Sequence, residues 1–394
     1  MSERIVLSGG DVVLDEGVMR DWVVVIQDNA IEGIYHSGEF APLQTDRVID
    51  CSEHFVCPGF IDIHNQGGGG FSVMDGSVEH TFGMCKAHAA HGTTGLLLTP
   101  LIERDTYRTL LPKLAGHAGK DTGGASILGI HAEGPFVNPE KKGCMPITAI
   151  CVPDLNVFDE ILTLGDGKIV EMTIAPEVSG ALDIILRLTR ENIVASLGHT
   201  DATLTDVLRA IDHGASHVTH FCNAMSPLNH REPGLVGAAL YSNDLSVEVI
   251  ADGFHIHPWM LGLIVHNKST ALTCLITDAM LVMGLEDGVH ESLGQIVKLE
   301  NGRLSLKNDP SILAGSALSM DRAVGNMINM VGFTLADAVA MASTTPAAVL
   351  GLDTSKGRLE RGFDADIAVL DRRYTNRLTI VGGAVVYDDM SEGR

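Results

Sequence analysis

Residues 127–133 read Ile-Leu-Gly-Ile-His-Ala-Glu, a short apolar segment whose last residues include His131 and Glu133. Seven other segments of the central chain have the same form, and each is followed by a helical pattern; they span residues 59–64, 94–98, 169–175, 193–199, 217–221, 247–251 and 272–278. Amphipathic stretches such as 77–91, 181–191 and 201–213 lie between them. Eight alternating strand and helix units predict an α/β fold with eight parallel strands.

Two architectures fit this alternation, a closed (β/α)₈ TIM-type barrel and an open, doubly wound sheet. Several segments end in polar residues that a buried strand would not otherwise carry. A barrel needs such residues there, because its active site is built at the carboxyl ends of the strands. We therefore favour the barrel.

The two ends of the chain differ from its middle. Residues 4–14, 22–35, 366–370 and 378–386 are β-branched or apolar stretches separated by turn-forming residues. We expect a β-sandwich domain made of residues 1–57 plus 355–394, and a barrel made of residues 58–354. After the eighth segment, residues 297–306 predict a hairpin that turns at 300–302, and residues 320–330 and 335–342 predict helices.

Composition limits the partners and the setting. The 394 residues are 45% hydrophobic and carry a formal net charge of −23, which argues against nucleic acid or an anionic membrane as a partner. The seven cysteines are scattered without a C-x-x-C pair, and residues 1–20 do not resemble a signal peptide. No uncharged stretch approaches the ~20 apolar residues of a membrane span. We expect a cytoplasmic protein.

Four strand-end residues suit metal-dependent hydrolysis. A catalytic zinc takes about three His or carboxylate ligands and leaves one position for water, whose pKa falls toward ~7. We interpret Glu133, His199 and His220 as the ligands of one divalent metal per subunit, Zn²⁺ first, with Fe, Co or Mn as alternatives. Asp278 is then the general base that shuttles a proton to the leaving amine.

Each of these residues also has a simpler interpretation. A single strand-end His is more often a hydrogen-bonded structural residue than a ligand, and Asp278 could instead cap a helix. Four suitable residues at four strand ends favour the metal site.

Two further features lie near the predicted site. His64 and Gln66 are two residues apart and so face the same side, which makes them candidates for a second metal or for the rim of the site. His131 is in phase with Glu133, and we expect it one layer deeper. The glycine-rich residues 67–70 lack the Lys-Ser/Thr of a P-loop and predict a tight loop.

Cationic residues follow the sixth and seventh segments. Arg231 and His255 lie just beyond them, at the same end of the barrel, and are candidates for holding a phosphate. A solvated loop charge is the alternative for Arg231. Residues 313–316, Leu-Ala-Gly-Ser, precede a predicted helix, and helix N-termini bind anions or polar groups.

Taken together, these motifs resemble the N-acetylglucosamine-6-phosphate deacetylases of the amidohydrolase superfamily. The motifs that carry the resemblance are at residues 58–62, 131–136, 141–143, 198–200, 219–225, 231–234, 251–255, 277–279, 313–316 and 357–370. The resemblance implies a barrel with a β-sandwich made from both termini. It implies deacetylation of an N-acetyl-hexosamine 6-phosphate, with Glu133, His199 and His220 on the metal and Asp278 as the catalytic carboxylate.

The resemblance also implies the substrate contacts and the assembly. The matching substrate-contacting positions are Asn223, Ala224, Arg231, His255, Leu313, Ala314 and Gly315, and Cys144, directly after Gly143, is a further candidate. The resemblance further implies a homodimer, in which Arg231 would reach the phosphate of the substrate bound by the neighbouring subunit.

One position departs from the family pattern. Members of the family typically carry a His where this chain has Met145, and that His helps to polarise the acetyl carbonyl. A thioether cannot donate a hydrogen bond, and losing such a donor can cost roughly 10²–10³ in rate. Because of Met145, an alternative substrate remains, namely another N-acetyl-hexosamine phosphate such as N-acetylgalactosamine 6-phosphate.

Two alternatives of other kinds stay open. An amidohydrolase of cyclic amides or N-acyl amino acids often bridges two metals with a carboxylated Lys, but no Lys ends the third or fourth segment. A sugar-phosphate-binding protein on a barrel that has lost catalysis would hold no metal.

Overall fold

The computed structural model describes residues 4–390 and begins with short strands. The strands that precede the central sheet are β1 (Ile5–Ser8), β2 (Asp11–Leu14), β3 (Gly17–Met19), β4 (Trp22–Gln27), β5 (Ala30–His36), β6 (Arg47–Asp50) and β7 (Phe55–Pro58). Residues 1–3 and 391–394, which we assigned to the β-sandwich domain, lie outside the described residues.

The middle of the chain forms the central sheet and its covering helices. The strands here are β8 (Phe60–Asp62), β9 (Gly67–Gly68), β10 (Phe71–Ser72), β11 (Thr93–Leu98), β12 (Ser126–Glu133), β13 (Ile169–Ile174), β14 (Val194–Leu197), β15 (His217–Val218), β16 (Ser246–Ile250) and β17 (Thr273–Ile276). The helices are α1 (Val78–Ala89), α2 (Tyr107–Ala115), α3 (Leu155–Leu164), α4 (Ala181–Arg190), α5 (Leu204–Asp212), α6 (Gly234–Tyr241) and α7 (Pro258–Lys268).

Eight of these strands form one parallel sheet in the order β17-β16-β15-β14-β13-β12-β11-β8. The two end strands meet beyond their carboxyl ends. There the Thr277 hydroxyl donates to Asp62 Oδ2 at 2.6 Å, and the Asp278 N–H donates to the His64 carbonyl at 2.9 Å. The sheet therefore curls into a nearly closed barrel, as predicted, rather than an open, doubly wound sheet.

The helices cover the barrel with apolar faces. In α4 the buried residues Ala181, Ile184, Ile185 and Leu188 recur at helical spacing, so that one stripe faces the strands. Helix α5 begins at a capping box, in which Thr203 and Asp206 satisfy each other's backbone N–H groups. The strands themselves are buried on both faces.

A small sheet and three helices follow the barrel strands. The sheet consists of β18 (Gly288–Ser292), β19 (Gln295–Glu300) and β20 (Arg303–Leu306), and the helices are α8 (Met320–Asn326), α9 (Leu335–Ala342) and α10 (Thr344–Val349). The predicted hairpin is β19–β20, and its Asn301-Gly302 loop has φ values of 52° and 81°, as a type I′ turn requires. The predicted helix 320–330 is instead α8 followed by a π-helical turn at Met327–Val331.

The last strands return to the first ones. They are β21 (Ile367–Leu370), β22 (Asn376–Val381) and β23 (Ala384–Asp388). Strand β7 pairs with β21 in a sheet of order β23-β22-β21-β7-β2-β3, and the second sheet has the order β5-β4-β1-β6. Residues of both sheets, such as Leu7, Ile26, Val56 and Val369, share one apolar core. The predicted β-structure built from both termini is confirmed, while the boundaries at 57/58 and 354/355 stay a proposal.

Among residues 4–390, no helix is long and apolar enough to cross a membrane.

Candidate metal centre

Three predicted metal ligands meet at the carboxyl end of the barrel. Glu133 is the last residue of β12, and His199 and His220 lie two residues beyond β14 and β15. Glu133 Oε1 is 3.1 Å from His199 Nε2 and 3.4 Å from His220 Nε2, and the two Nε2 atoms are 3.0 Å apart. All three residues are buried. Three atoms that commonly bind metals therefore face one point.

The backbone turns sharply where these side chains leave their strands. The φ angles of His199, His220 and Asp278 are 46°, 28° and 47°, in the left-handed region that residues other than glycine rarely adopt. Such a conformation costs about 1–2 kcal/mol per residue. The surrounding barrel holds these residues in place despite that cost, as is common at functional sites.

The hydrogen bonds around the three residues fit a bound cation. His199 Nδ1 is 2.9 Å from the Lys141 carbonyl, which can only accept, so Nδ1 carries a proton, and with a metal bound Nε2 would present its lone pair to the ion. Burial opposes the ionisation of Glu133, but His199, His220 and the charge of His64 hold its pKa well below the usual range. An ionised carboxylate and imidazole lone pairs at these distances suit a divalent metal.

His64 lies on the floor of this centre and not at its rim. Its ring is fully buried, with Nδ1 2.9 Å from Glu248 Oε2. On the other side, His64 Nε2 is 3.7 Å from Glu133 Oε1 and 3.6 Å from Asp278 Oδ1. Gln66, the other candidate, donates from Nε2 to Glu133 Oε2 at 2.7 Å. Gln66 therefore orients a ligand, and His64 is available as a further one.

Asp278 faces the same centre from the end of β17. Residues 279–287, which directly follow it, form no helix, so the helix-cap interpretation is wrong. Burial raises the pKa of Asp278 above its ordinary value. A carboxylate that binds protons more tightly than usual, beside a metal site, is suited to proton transfer.

A cavity of about 290 Å³ opens above these residues. Most of the predicted site residues line it: Gln66, Glu133, Cys144, His199, His220, Asn223, Ala224, His255, Asp278, Leu313 and Gly315. Ala314 is buried beside the cavity in a small apolar cluster and does not line it.

The segment at Leu313–Gly315 reaches the cavity as a loop. The helix that follows it begins at Met320, as predicted, so Leu313–Gly315 lies before the helix N-terminus and is not part of it. Gly315 has a φ of 62°, and a Cβ there would lie 2.7 Å from Met280 Sδ and 3.0 Å from the Asp278 carbonyl oxygen. Glycine therefore lets this loop pass close to Asp278.

The two candidate phosphate ligands are placed differently. His255 lines the cavity, and Asp252 Oδ2 lies 2.7 Å from its Nδ1. Burial lowers the pKa of His255, but the hydrogen bond and charge of Asp252 outweigh it, so that the pKa is raised. Arg231 is exposed on the loop before α6 and does not line the cavity of its own chain.

Cys144 and Met145 form part of the cavity wall. Burial raises the pKa of the Cys144 thiol to about 12, so it is a neutral thiol at physiological pH. Met145 is buried, with its N–H bonded to the Lys142 carbonyl. Met145, the residue that departs from the family pattern, thus lies in the wall of the cavity.

Sequence reasoning missed the polar residues below the centre. Glu171 in β13 and Glu248 in β16 are fully buried, and His217 faces them. Carboxylates within otherwise apolar strands are rarely buried without a partner, and that signal could have found them. Met280, Leu293 and Ser311, which also line the cavity, carried no such signal.

The comparisons with known proteins agree with this geometry. Residues 55–388 match the amidohydrolase family. An N-acetylglucosamine-6-phosphate deacetylase of Bacillus subtilis (strain 168) is 34% identical over 98% of each chain. An N-acetylgalactosamine-6-phosphate deacetylase of Escherichia coli O157:H7 is 34% identical over 93% of this chain and 95% of its own.

A solved structure is similar over nearly the whole chain. It is a mutant of N-acetyl-D-glucosamine-6-phosphate deacetylase from Mycobacterium smegmatis in complex with N-acetyl-D-glucosamine-6-phosphate. It superposes with a TM-score of 0.90 at 30% identity, covering 98% of this chain and 100% of its own. The fold, the site and these full-length matches show that the chain belongs to the N-acetylglucosamine-6-phosphate deacetylase family of amidohydrolases.

Proposed function

We propose that this enzyme hydrolyses the acetamide of N-acetyl-D-glucosamine 6-phosphate, giving glucosamine 6-phosphate and acetate in amino-sugar catabolism. The observation that carries the proposal is the meeting of Glu133, His199, His220 and Asp278 at the floor of one cavity. Full-length relatives with this activity support the choice of substrate.

Glu133, His199 and His220 would hold one divalent metal. Zn²⁺ is our first choice, and Fe, Co or Mn suit the same ligands. When bound, such an ion polarises the acetyl carbonyl and acidifies water. Gln66 keeps Glu133 in position through its hydrogen bond to Oε2.

Asp278 moves the proton. It takes a proton from the attacking water as the new C–O bond forms at the acetyl carbon. It then delivers that proton to the amide nitrogen as the C–N bond breaks, so that acetate and the free amine leave. Its raised pKa suits both steps, because a general base works best when its pKa approaches the ambient pH.

The remaining cavity residues would hold the sugar phosphate. His255 offers a cationic ring held by Asp252, and Asn223, Ala224 and the loop at Leu313–Gly315 surround the sugar. We propose a homodimer in which Arg231, exposed and absent from its own cavity, contacts the phosphate in the partner subunit. The seven cysteines are all free thiols, which supports a cytoplasmic setting.

A second substrate is supported by two observations. Met145 stands in the cavity wall in place of the family's His, and the Escherichia coli O157:H7 relative is named for N-acetylgalactosamine 6-phosphate. We therefore propose N-acetylgalactosamine 6-phosphate as the alternative substrate.

The test measures acetate release together with metal content. Wild-type enzyme should deacetylate N-acetylglucosamine 6-phosphate faster than its galactosamine epimer. Asp278→Asn should retain the metal and lose roughly 10²–10⁴ in kcat, the usual contribution of a general acid–base. If the metal-loaded wild type released acetate from neither epimer, the protein would be a sugar-phosphate binder; near-full activity of Asp278→Asn would refute the role of Asp278.

A further inference from the structure

A second group of ionisable side chains lies inside the barrel, one layer closer to the amino ends of the strands than the metal centre. It consists of Glu171 on β13, His217 on β15 and Glu248 on β16, and all three residues are 0% exposed. We name this group the interior cluster. His217 precedes His220 by three residues on the same segment, which places the cluster below the cavity floor.

The interior cluster leaves several polar atoms without a hydrogen bond. His217 Nε2 is 3.5 Å from Glu248 Oε1 and 4.0 Å from Glu171 Oε1. Within residues 4–390, none of these three atoms has a hydrogen-bond partner, and neither has Glu171 Oε2. An isolated buried carboxylate is too costly to persist unless something compensates it, as a paired charge or a metal does.

The hydrogen bonds of His217 fix which nitrogen faces the carboxylates. Ser246 Oγ donates its only hydrogen to the Ser216 carbonyl at 3.1 Å. It can therefore only accept from His217 Nδ1, which lies 2.6 Å away. Neutral His217 thus carries its proton on Nδ1, and the lone pair of Nε2 points at two carboxylates. A positive charge between them, carried by a proton or by a metal ion, stabilises this arrangement.

The neighbouring His131 differs from His217 in the hydrogen bonding of its ring nitrogens. Its Nδ1 is 3.2 Å from the Ile63 carbonyl and its Nε2 is 2.8 Å from the Thr173 hydroxyl. Both ring nitrogens of His131 are occupied, so it is not available as a ligand.

Glu248 is oriented by groups that belong to the metal centre. Its Oε2 accepts from His64 Nδ1 at 2.9 Å, from the Thr219 hydroxyl at 2.8 Å and from the His220 N–H at 2.8 Å. Its other oxygen, Oε1, is left for the interior cluster. A ligand whose remaining atoms are fixed by hydrogen bonds is what a well-formed metal site contains.

We propose that Glu171, His217 and Glu248 hold a second divalent cation, of the transition-metal class that takes mixed imidazole and carboxylate ligands. Two ligand atoms about 2.1 Å from one ion lie at most ~4.2 Å apart, and the separations of 3.5 and 4.0 Å satisfy that limit. The cation would neutralise the buried carboxylates and tie β13, β15 and β16 together. Because the ligands are fully enclosed, it would enter as the barrel closes.

The direct test is anomalous diffraction at the zinc edge, on crystals of the whole enzyme produced in Zn²⁺. We expect two peaks, one between Glu133, His199 and His220 and one within the interior cluster, and two zinc equivalents per chain by mass spectrometry. Brief chelation should remove the first equivalent much faster than the second.

Two isosteric variants separate the sites. Glu171→Gln should lose only the interior peak and its equivalent, whereas the matched control Glu133→Gln should lose only the peak at the metal centre. An empty or water-filled interior cluster in the wild-type map, or unchanged zinc content in Glu171→Gln, would overturn the proposal. If Glu171→Gln does not fold, the anomalous map of the wild-type enzyme alone tests the proposal.

Discussion

His255 shows how one carboxylate sets the charge of a residue in the cavity wall. Asp252 raises the pKa of this imidazole against the effect of burial, so His255 stays protonated to a higher pH than a free histidine. The cation is present at low pH and is lost as the pH rises through that raised pKa. Phosphate binding that depends on His255 should weaken in the same direction.

Replacing Asp252 should therefore move this transition to lower pH. Asp252→Asn keeps an oxygen for the backbone N–H groups that Asp252 accepts from, but removes the charge. Near pH 7 we expect KM for the phosphorylated substrate to rise by about tenfold, a coupling of about 1.4 kcal/mol, with little change in kcat. When KM is measured from pH 5.5 to 8.5, the KM of the variant should approach that of the wild type at the acid end of the range. An equal rise for the unphosphorylated N-acetyl sugar would contradict a role in phosphate binding.

Met145 allows a second prediction at the residue scale. Its thioether cannot donate a hydrogen bond, so Met145→Leu removes no donor and nearly conserves volume. We expect kcat to change by less than about threefold, in contrast to the roughly 10²–10³ that a lost oxyanion donor costs. Steady-state deacetylation measures this, with Asp278→Asn as the inactive reference. A hundredfold loss in Met145→Leu would mean that the sulfur itself contacts the reacting group.

At the scale of single elements, helix α7 ends in a buried cation. Lys268 is 1% exposed, and its ammonium donates to the Ser242 carbonyl. Burial lowers its pKa to about 8, although the charge of Asp244 opposes the shift. Between about pH 8 and 10.5 the unfolded chain therefore binds more protons than the folded one, and stability rises with pH in that window.

This linkage predicts how Lys268→Met should behave. The variant lacks the titrating group, so the stability of the wild type relative to the variant should increase by up to about 3 kcal/mol from pH 8 to 10.5. Below pH 8 the difference should be constant. Urea unfolding at several pH values measures it, and other titrating groups cancel in the comparison. A difference that does not vary with pH would show that the ammonium is not desolvated.

Elements with a strong local pattern could be predicted from the sequence. All eight barrel strands overlap the predicted segments. A strand that is buried on both faces has a continuous apolar sequence, which is easy to identify. Strand β18 could not be predicted, since Gly-Val-His-Glu-Ser at 288–292 contains a single β-branched residue and gains its stability from pairing with β19. The start of α8 at Met320 agrees with the predicted helix, but the π-helical turn that ends it was not predicted. The path of the loop at Leu313–Gly315 was not predicted either, because it is fixed by packing on Asp278 and Met280, which lie far away in sequence.

Some residues of the site could likewise be predicted from the sequence, and others could not. Glu133, His199, His220 and Asp278 end their strands, and that position is visible in the sequence. The depth of His64 and the interior cluster depend on which side chains face each other across the closed barrel. No local pattern encodes that arrangement, so it had to come from the structure.

At the scale of the whole molecule, the exposed Arg231 predicts that two subunits share each active site. Arg231→Ala and Asp278→Asn should each be nearly inactive alone. In a mixed dimer, one cavity combines an intact Asp278 with Arg231 of the other subunit. Since half of randomly assorted dimers are mixed and one of their two sites is intact, co-expression should restore about one quarter of wild-type activity.

Acetate release by the co-expressed proteins measures this, with native mass spectrometry to confirm mixed dimers. Activity no higher than the sum of the two single variants, despite mixed dimers, would place Arg231 in its own subunit's site.

The pairing of β7 with β21 has a consequence for how the protein is made. During synthesis on the ribosome, β7 emerges first and β8 directly follows it, but the partner of β7 is about 300 residues away in the sequence. Until β21 and β22 have been translated, the apolar side chains Val12, Val56 and Ile26 of the nascent chain lack the cover that Val369 and Ile380 later supply. This core is therefore completed only after β21 and β22 have been synthesised, and a product terminated before them would expose a surface that chaperones and proteases recognise.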